Sequence, residues 1–519
     1  MQEIKEESEK TGENLIEEKK GKIAKWLKDP YNLTLVGILA FAFAIRLYYF
    51  FMVNGQALWW DSACYGALAK NFAFHRWDNT TLVLGESVIR PLLFPLVWSL
   101  FVMLGVNETG VNFLLELIPS TITIFAVYLV GKEMYNKKVG LISAVIFSVL
   151  WMHLFYTYRF LADLPALPLL FFSIYYFVKA NKEKLDMKYL FISLFLLSLA
   201  TLTRYPIGAT FFVYLIVLIL NKNLLLANKK FWIAGILGIL PILIFFILNF
   251  VYFDNIFPAL LGGQYLKSPG AKAGTGPSPF DWTPVTFPHY FLQNTFFVFF
   301  VLGLGLMLFE LVAGYNFIHK NKKLQNHLIL LLLIMFISLF FIFYLRACED
   351  RWMFPTTITM AVVAGFGLGF VCDSIKKYNK FIAILLIIAI LLFGAYFQLK
   401  SADYLIKERK DSFKEIREGF EWLASIESKN ITVAGTGIEP YAVYYSEFNY
   451  LPIPANKSDS GEIAKADYLV IHAFTPQATY INEYLSENQD IWIPINGYFF
   501  DKERTQVAFV IYKNQKLIS

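Results

Sequence analysis

Eleven apolar runs recur along the chain, at about 31–53, 110–130, 138–157, 163–180, 188–203, 205–220, 231–253, 291–317, 328–347, 353–372 and 381–399. Each is long enough, or nearly so, to cross ~30 Å of hydrocarbon. Inside a bilayer every backbone N–H and C=O has to find its partner within the protein, so continuous runs of this kind point to membrane-spanning helices. With 57% of the 519 residues hydrophobic and only 17% charged, a water-soluble fold is excluded. The expected class is mostly α: a polytopic membrane helical bundle.

A twelfth stretch, 90–106, decides the topology. It is apolar but short, begins with Arg90-Pro91 and contains Pro95. Lys-rich connectors lie at 131–138, 180–188, 221–230, 318–327 and 373–380, and basic connectors stay on the cytoplasmic side. All five obey that rule together only if 90–106 is re-entrant or lies at the interface, as its length and prolines permit. The N-terminus is then cytoplasmic, which suits the lysines at 19, 20, 22, 25 and 28 beside the first span. The connectors also account for the net charge of +6, so nucleic acid is not an expected partner. Cys64, Cys348 and Cys372 have neither metal nor redox spacing.

Three regions follow: a cytoplasmic tail over 1–30, a membrane domain over 31–399, and a soluble extracytoplasmic domain over 400–519. In the last, a helical pattern at 411–428 precedes strand-like segments at 431–435, 467–473 and 507–512, an alternation that suggests a small α/β domain.

With this topology the residues able to do chemistry concentrate outside. They are Asp61, Arg90, Arg159, Asp163, Arg204, Glu349, Asp350 and Arg351. Asp61 and Asp163 sit just past the outer ends of spans in a chain that otherwise keeps acids out of its membrane stretches, and ionisable groups at such depth are expensive unless used. Each also has an ordinary explanation: Asp61 as a helix cap beside aromatic-belt tryptophans, Asp163 as a capped helix start before Pro165, Arg159 as its local partner, Arg204 as a snorkelling side chain. Their convergence on one face favours function. Arginines beside carboxylates at the membrane boundary suit a lipid-linked phosphate, because a guanidinium binds phosphate oxygens bidentately and keeps its charge in a poorly hydrated place. For sugar transfer from such a carrier, a carboxylate has to orient or deprotonate the acceptor and cations have to stabilise the departing phosphate. Asp61 takes the acceptor side and the arginines the donor side.

Four short stretches, in order over about 55–370, carry a family resemblance. They are WWDSACYGALAKNF with Asp61 and Tyr65, Arg90-Pro91, YRFLADLPA with Asp163, and LTRYP with Arg204 and Tyr205; the later segment EDRWMFP adds Glu349 and Arg351. The pattern resembles the GT-C class of membrane glycosyltransferases, in particular the dolichyl-phosphate-mannose protein mannosyltransferase and undecaprenyl-phosphate aminoarabinose transferase relatives. The resemblance implies a polyprenyl-phosphate-linked sugar donor, a lipid, glycan or protein acceptor, inversion at the anomeric carbon, and contact of Arg90 and Arg204 with the lipid phosphate. Catalytic roles go to Asp61 and Asp163; Tyr65, Arg90, Arg159, Arg204, Tyr205, Glu349 and Arg351 go to substrate binding. Protein mannosyltransferases usually have an acidic pair where this chain has Asp61-Ser62, a departure that bears on acceptor type and on any metal site. A divalent ion at Asp61 or Asp163 stays open, and the Pro/Gly-rich loop 254–290 is a candidate lid. The competing class is a transporter or flippase, which predicts inverted repeats and charges near mid-membrane.

Overall fold

The computed structural model describes residues 26–75, 90–181, 184–220, 228–253, 286–339, 350–428 and 430–517. A helix stands at each of the eleven expected spans. They are α1 Pro30–Met52, α4 Glu108–Met134, α5 Lys137–Val149 with its continuation α6 Trp151–Tyr156, α7 Asp163–Ala180, α8 Met187–Thr203, α9 Thr210–Leu220, α10 Lys229–Phe253, α11 Thr286–Ala313, α12 Lys322–Leu339, α13 Phe354–Lys376 and α14 Lys380–Arg409. Between α1 and α4 lie two more helices, α2 Trp60–Phe74 and α3 Leu93–Met103. Among the described residues seven helices are long and apolar enough to cross a membrane. The 11 residues of α3, at ~1.5 Å each, cover about half the hydrocarbon thickness.

The sequence marks one end of the bundle with a repeated device. The helices α1, α5, α8, α10, α12 and α14 each begin at an Asp or Asn, namely Asp29, Asn136, Asp186, Asn228, Asn321 and Asn379. The side chain of each accepts hydrogen bonds from backbone amides two or three residues on. These caps satisfy amides that a helix start leaves without intrahelical partners. Ion pairs then join the same ends across the bundle: Lys137 with Asp29, Lys138 with Asp373 at 2.5 Å, Lys322 with Glu133 at 3.1 Å and Lys323 with Glu310 at 2.6 Å. Asn181 adds a hydrogen bond to Gln325 at 3.2 Å. Lys-rich connectors far apart in sequence thus share one face.

Close helix contact in the middle of the bundle depends on small residues. A Cβ on Gly303 of α11 would meet the Val363 carbonyl of α13 at 2.2 Å, and one on Gly367 would meet the Phe299 carbonyl at 2.2 Å. Without a hydrophobic drive between helices in lipid, such backbone approach supplies van der Waals packing. α10 and α14 instead expose apolar side chains along their length, including Ile247, Phe250, Leu392 and Phe393.

The last membrane helix does not stop near 399 but runs on to Arg409 and delivers the chain to the C-terminal domain. There α15 Lys414–Ile426 and α16 Ile481–Glu487 accompany five strands: β1 Thr432–Gly435, β2 Asn449–Pro452, β3 Tyr468–His472, β4 Trp492–Phe499 and β5 Val507–Asn514. The sheet order is β2-β1-β3-β5-β4, with β1 parallel to β2 and β3 and β5 antiparallel to β3 and β4. The three strands expected from apolar runs are β1, β3 and β5. The edge strands β2 and β4 carry Pro452 and Pro494 and shorter apolar patterns, which hid them.

This domain is built onto α2 and α3. One apolar cluster contains Ala63 and Tyr65 of α2, Trp98 of α3 and Phe160, together with Phe420, Val433, Tyr444 and Phe509 of the C-terminal domain. Trp98 stacks on Phe160 with centroids 4.4 Å apart. Gly66 is required there, since a Cβ would stand 2.6 Å from the Tyr444 ring.

Candidate active site

Asp61 sits in the first turn of α2, and its place is fixed from two directions. The C-terminal domain grips the preceding residues: Leu58 N–H donates to Tyr445 Oη at 2.7 Å and Trp60 Nε1 donates to the Gly437 carbonyl at 3.0 Å. The Gly435-Thr436-Gly437 turn therefore serves as a seat for Trp60. On the other side, Asp61 Oδ1 accepts from Arg90 Nη2 at 2.9 Å and Oδ2 accepts from Arg351 Nη2 at 2.5 Å. Each carboxylate oxygen has its own arginine, drawn from 29 residues downstream and 290 residues downstream.

Both guanidinium groups are nearly covered, Arg90 at 7% exposure and Arg351 at 8%. Arg90 lies over the rings of Trp60, at 5.2 Å, and Tyr65, at 5.1 Å. Aromatic faces favour a weakly hydrated planar cation, so the tyrosine helps to hold the arginine. Tyr205 donates to the Arg90 carbonyl at 3.2 Å. Arg351 occupies a 3-10 turn, Asp350–Met353, whose Asp350 accepts from Tyr156 Oη of α6 and from the Arg351 amide. Burial pushes the Asp61 carboxyl up, but the guanidinium charges of Arg90 and Arg351, with Arg204 behind them, outweigh it and hold the acid well below the usual carboxylate range.

Asp163 opens α7 and is 4% exposed. Its Oδ1 pairs with Arg204 Nε at 3.0 Å. Arg204 is extended, φ −150°, at the joint between α8 and the following 3-10 turn, which begins Tyr205-Pro206; the proline disfavours helix at the residue before it and so sets the corner. Beside this pair is a crevice whose walls include Leu167, Ile207, Trp352, Phe354 and Pro355. Cations at an apolar cleft are what a phosphate joined to a hydrocarbon tail requires.

Of the residues singled out in the sequence, Asp61, Tyr65, Arg90, Asp163, Arg204, Tyr205 and Arg351 gather here. Arg159 stands apart: its guanidinium packs into the corner made by the Trp59 and Phe155 rings, 4.5 Å from each, and donates to the Arg409 carbonyl at 3.3 Å. Glu349 lies outside the described residues, as does most of the candidate lid, 254–285. The expectation that acids are kept out of the spans needs correction. Glu116 lies within α4 at 0% exposure, in a π-turn over Phe113–Leu117, with its carboxyl beside the Leu161 backbone. It stands within electrostatic reach of Asp163, and π-turns recur at functional sites. Arg46 of α1 is likewise fully buried, bonded to Ser120, to the Ala42 and Ser148 carbonyls and to His153 Nδ1. The signal for both was a lone charge inside an apolar run.

Among the described residues no three His, Cys, Asp or Glu side chains converge on a point that could hold a metal. Asp61 and Asp163 are already matched by guanidinium groups, so the cluster as it stands does not fit a divalent cation. Three guanidinium groups stand against two carboxylates there, which leaves the cluster net positive.

The fold has solved counterparts. The chain aligns over 95% of its length with the archaeal oligosaccharyltransferase AglB from Archaeoglobus fulgidus, solved with an inhibitory peptide and a dolichol-phosphate, at 13% identity and a TM-score of 0.58, covering 75% of that chain. ArnT from Cupriavidus metallidurans, in its apo state, matches over 93% of this chain and 98% of its own at 10% identity and a TM-score of 0.62. ArnT bound to undecaprenyl phosphate matches over 92% and 97%, at 10% identity and a TM-score of 0.61. The chain has the GT-C glycosyltransferase fold. A family model described as dolichyl-phosphate-mannose-protein mannosyltransferase matches residues 89–248, the part of the chain that holds Arg90, Asp163 and Arg204. No curated protein matches by sequence.

Proposed function

We propose that this GT-C protein transfers a sugar from a polyprenyl-phosphate carrier to an acceptor at the outer face of the cell membrane. The observation that carries the reading is the buried cluster itself: Asp61 bridged by Arg90 and Arg351, next to the Asp163–Arg204 pair at an apolar crevice. Solved proteins of this fold with a dolichol-phosphate or undecaprenyl phosphate bound support the donor class. The orientation, with the N-terminus inside and the C-terminal domain outside, rests on the basic connectors sharing the face opposite the cluster.

In the proposed step the acceptor hydroxyl attacks the anomeric carbon, the bond from that carbon to the phosphate oxygen breaks, and the hydroxyl proton passes to Asp61. The electron pair of the broken bond leaves with the phosphate. A single displacement of this kind inverts the anomeric centre. The geometry adds a requirement: with both oxygens held by guanidinium groups, Asp61 is a poor base at rest. The phosphate gains charge as the glycosidic bond breaks, and Arg90 and Arg351 transfer to it, which frees Asp61 as its basicity is needed. Donor binding therefore activates the base.

The test is binding of undecaprenyl phosphate to the purified protein, followed by release of labelled sugar from a polyprenyl-phosphate donor pool. Arg351→Gln is expected to weaken lipid binding at least about tenfold, the equivalent of one charge-assisted hydrogen bond. Unaltered affinity in that variant refutes the phosphate assignment. A transporter would move label across the bilayer without cleaving it from the phosphate.

A further inference from the structure

Two helices of the bundle are broken where they meet. Leu150, with ψ 118°, interrupts the ladder between α5 and α6, so the Trp151 amide opens a new helix and lacks an intrahelical acceptor. In α11 the interruption is Gln293, whose φ of 52° and ψ of 179° form a backbone state that residues with a side chain rarely adopt. The hydrogen-bond ladder cannot cross that residue, and the Phe291 carbonyl lies at the gap. One side chain serves both breaks. Gln398 of α14, at 0% exposure, accepts from the Trp151 amide at 2.9 Å through Oε1 and donates to the Phe291 carbonyl at 3.0 Å through Nε2.

Glutamine suits this place because a carboxamide offers a donor and an acceptor without a charge, whereas an aliphatic side chain would leave both buried backbone groups unmet. Trp151 closes the joint, its Nε1 donating to the Tyr290 carbonyl at 3.3 Å and its ring stacking on Phe291 with centroids 6.4 Å apart. α6 then carries the tie to the acid cluster. Its six residues reach about 9 Å at ~1.5 Å each, and at the far end Tyr156 Oη donates to Asp350. Asp350 also accepts from the Arg351 amide at 2.8 Å, and Arg351 Nη2 donates to Asp61 Oδ2 at 2.5 Å. The Tyr156 ring meets Phe354, at the start of α13, edge to face with centroids 5.6 Å apart.

We infer that Gln398 and Tyr156 are positioning residues for Arg351: by holding the two ends of α6 they fix the turn Asp350–Met353, and with it the guanidinium that pairs with Asp61 at rest and takes the donor phosphate during transfer. Neither side chain acts on substrate directly; both work through Arg351. The claim about the phosphate rests on the proposed transfer reaction, and the claim about the Arg351–Asp61 pair does not.

The test uses three variants of the full-length protein. Tyr156→Phe deletes one hydroxyl and keeps the ring, and Gln398→Met keeps the length of the side chain and loses both hydrogen bonds. Ser401→Ala is the control: it cuts the other tie between α14 and α11, the bond from Gln293 Nε2 to Ser401 Oγ at 2.8 Å, without reaching α6. The first readout is the infrared carboxylate stretch of Asp61 at neutral pH, isolated by difference against Asp61→Asn in each background and calibrated with Arg351→Gln. Tyr156→Phe and Gln398→Met should each shift the band part of the way towards its Arg351→Gln position, and Ser401→Ala should leave it in place. The second readout is affinity for undecaprenyl phosphate. It should fall about threefold in Tyr156→Phe and in Gln398→Met, with no further fall when either is combined with Arg351→Gln, since residues that act through one partner are not additive. An unmoved band in Tyr156→Phe overturns the inference, even if Gln398→Met does not fold. So does an equal shift in Ser401→Ala, which would mark a general loosening of α14, or a further loss of affinity on top of Arg351→Gln. If the bands shift as expected while lipid affinity is the same in every variant, Arg351→Gln included, the donor reading fails and the positioning of Arg351 stands.

Discussion

Asp61→Asn separates two jobs that the cluster combines, and the structure predicts that they respond in opposite directions. The amide cannot take the acceptor proton, so turnover should fall about 10²–10⁴-fold, the usual contribution of a positioned base. Donor binding should not fall with it. In the unmodified protein Arg90 and Arg351 are each engaged by one carboxylate oxygen, at 2.9 and 2.5 Å, and an incoming phosphate has to win them from that carboxylate. A charge-assisted hydrogen bond contributes roughly 1.5–3 kcal/mol net, and an amide oxygen holds a guanidinium less strongly. Relief of even half of one such bond tightens the donor several-fold, since ~1.4 kcal/mol is a factor of ten. The assay is a pair of measurements on the same preparation: affinity for undecaprenyl phosphate, and release of labelled sugar. Weaker lipid binding in Asp61→Asn would show that the acid serves to orient the arginines instead of competing for them, and unchanged turnover would remove it from the chemistry. The resting ion pairs also predict a pH signature. Because the folded-state acid lies below its unfolded value, the pairs contribute stability above about pH 4, the range of a free aspartate, and that contribution is lost only as pH falls through the depressed folded value. Infrared difference spectra against Asp61→Asn should still show ionised Asp61 at about pH 4.

Arg204→Ala removes the guanidinium paired with Asp163, whose side chain is 3% exposed, and should destabilise the fold by about 3 kcal/mol, with most of it recovered in Arg204→Ala/Asp163→Asn; equal thermal midpoints for the single and double variants contradict the buried pair. Among the described residues no cation pairs with the fully buried Glu116, so Glu116→Gln should leave the melting temperature unchanged or raised, and a drop of several degrees would show that the carboxyl has a stabilising partner in the folded protein. For orientation, Lys132→Cys and Glu462→Cys, both at exposed positions, should react with an impermeant maleimide from inside and from outside respectively. Labelling from the reverse sides inverts the topology.

The fold class was legible because hydrocarbon imposes a length and a periodicity on any chain that crosses it, and lysines mark one side. The Asx residues that start six helices at the basic face are written in the sequence too, at Asp29, Asn136, Asp186, Asn228, Asn321 and Asn379. Asp61, Arg90, Asp163, Arg204 and Arg351 stood out for a single reason: charged groups at the outer ends of apolar runs need a purpose. Glu116 and Arg46 carried the same signal in a stronger form, inside spans, and were hidden only because an apolar window averages out one charge.

Pairing was not legible. Spacing along the chain suggested Arg159 as the partner of Asp163, one helical turn away, yet Arg204 takes that place from 41 residues on, and Arg159 turns to Trp59 and Phe155. Which arginine meets which acid depends on where helices from distant segments end relative to one another, on the angle set by Tyr205-Pro206, and on the C-terminal domain pressing Trp60 into place. The residue types and their place at the ends of apolar runs follow from the local cost of placing charge near lipid, which each segment states for itself. The carboxylate held between two guanidiniums exists only once the apolar helices and a small sheet have packed, because it is a property of distances between segments that no segment contains.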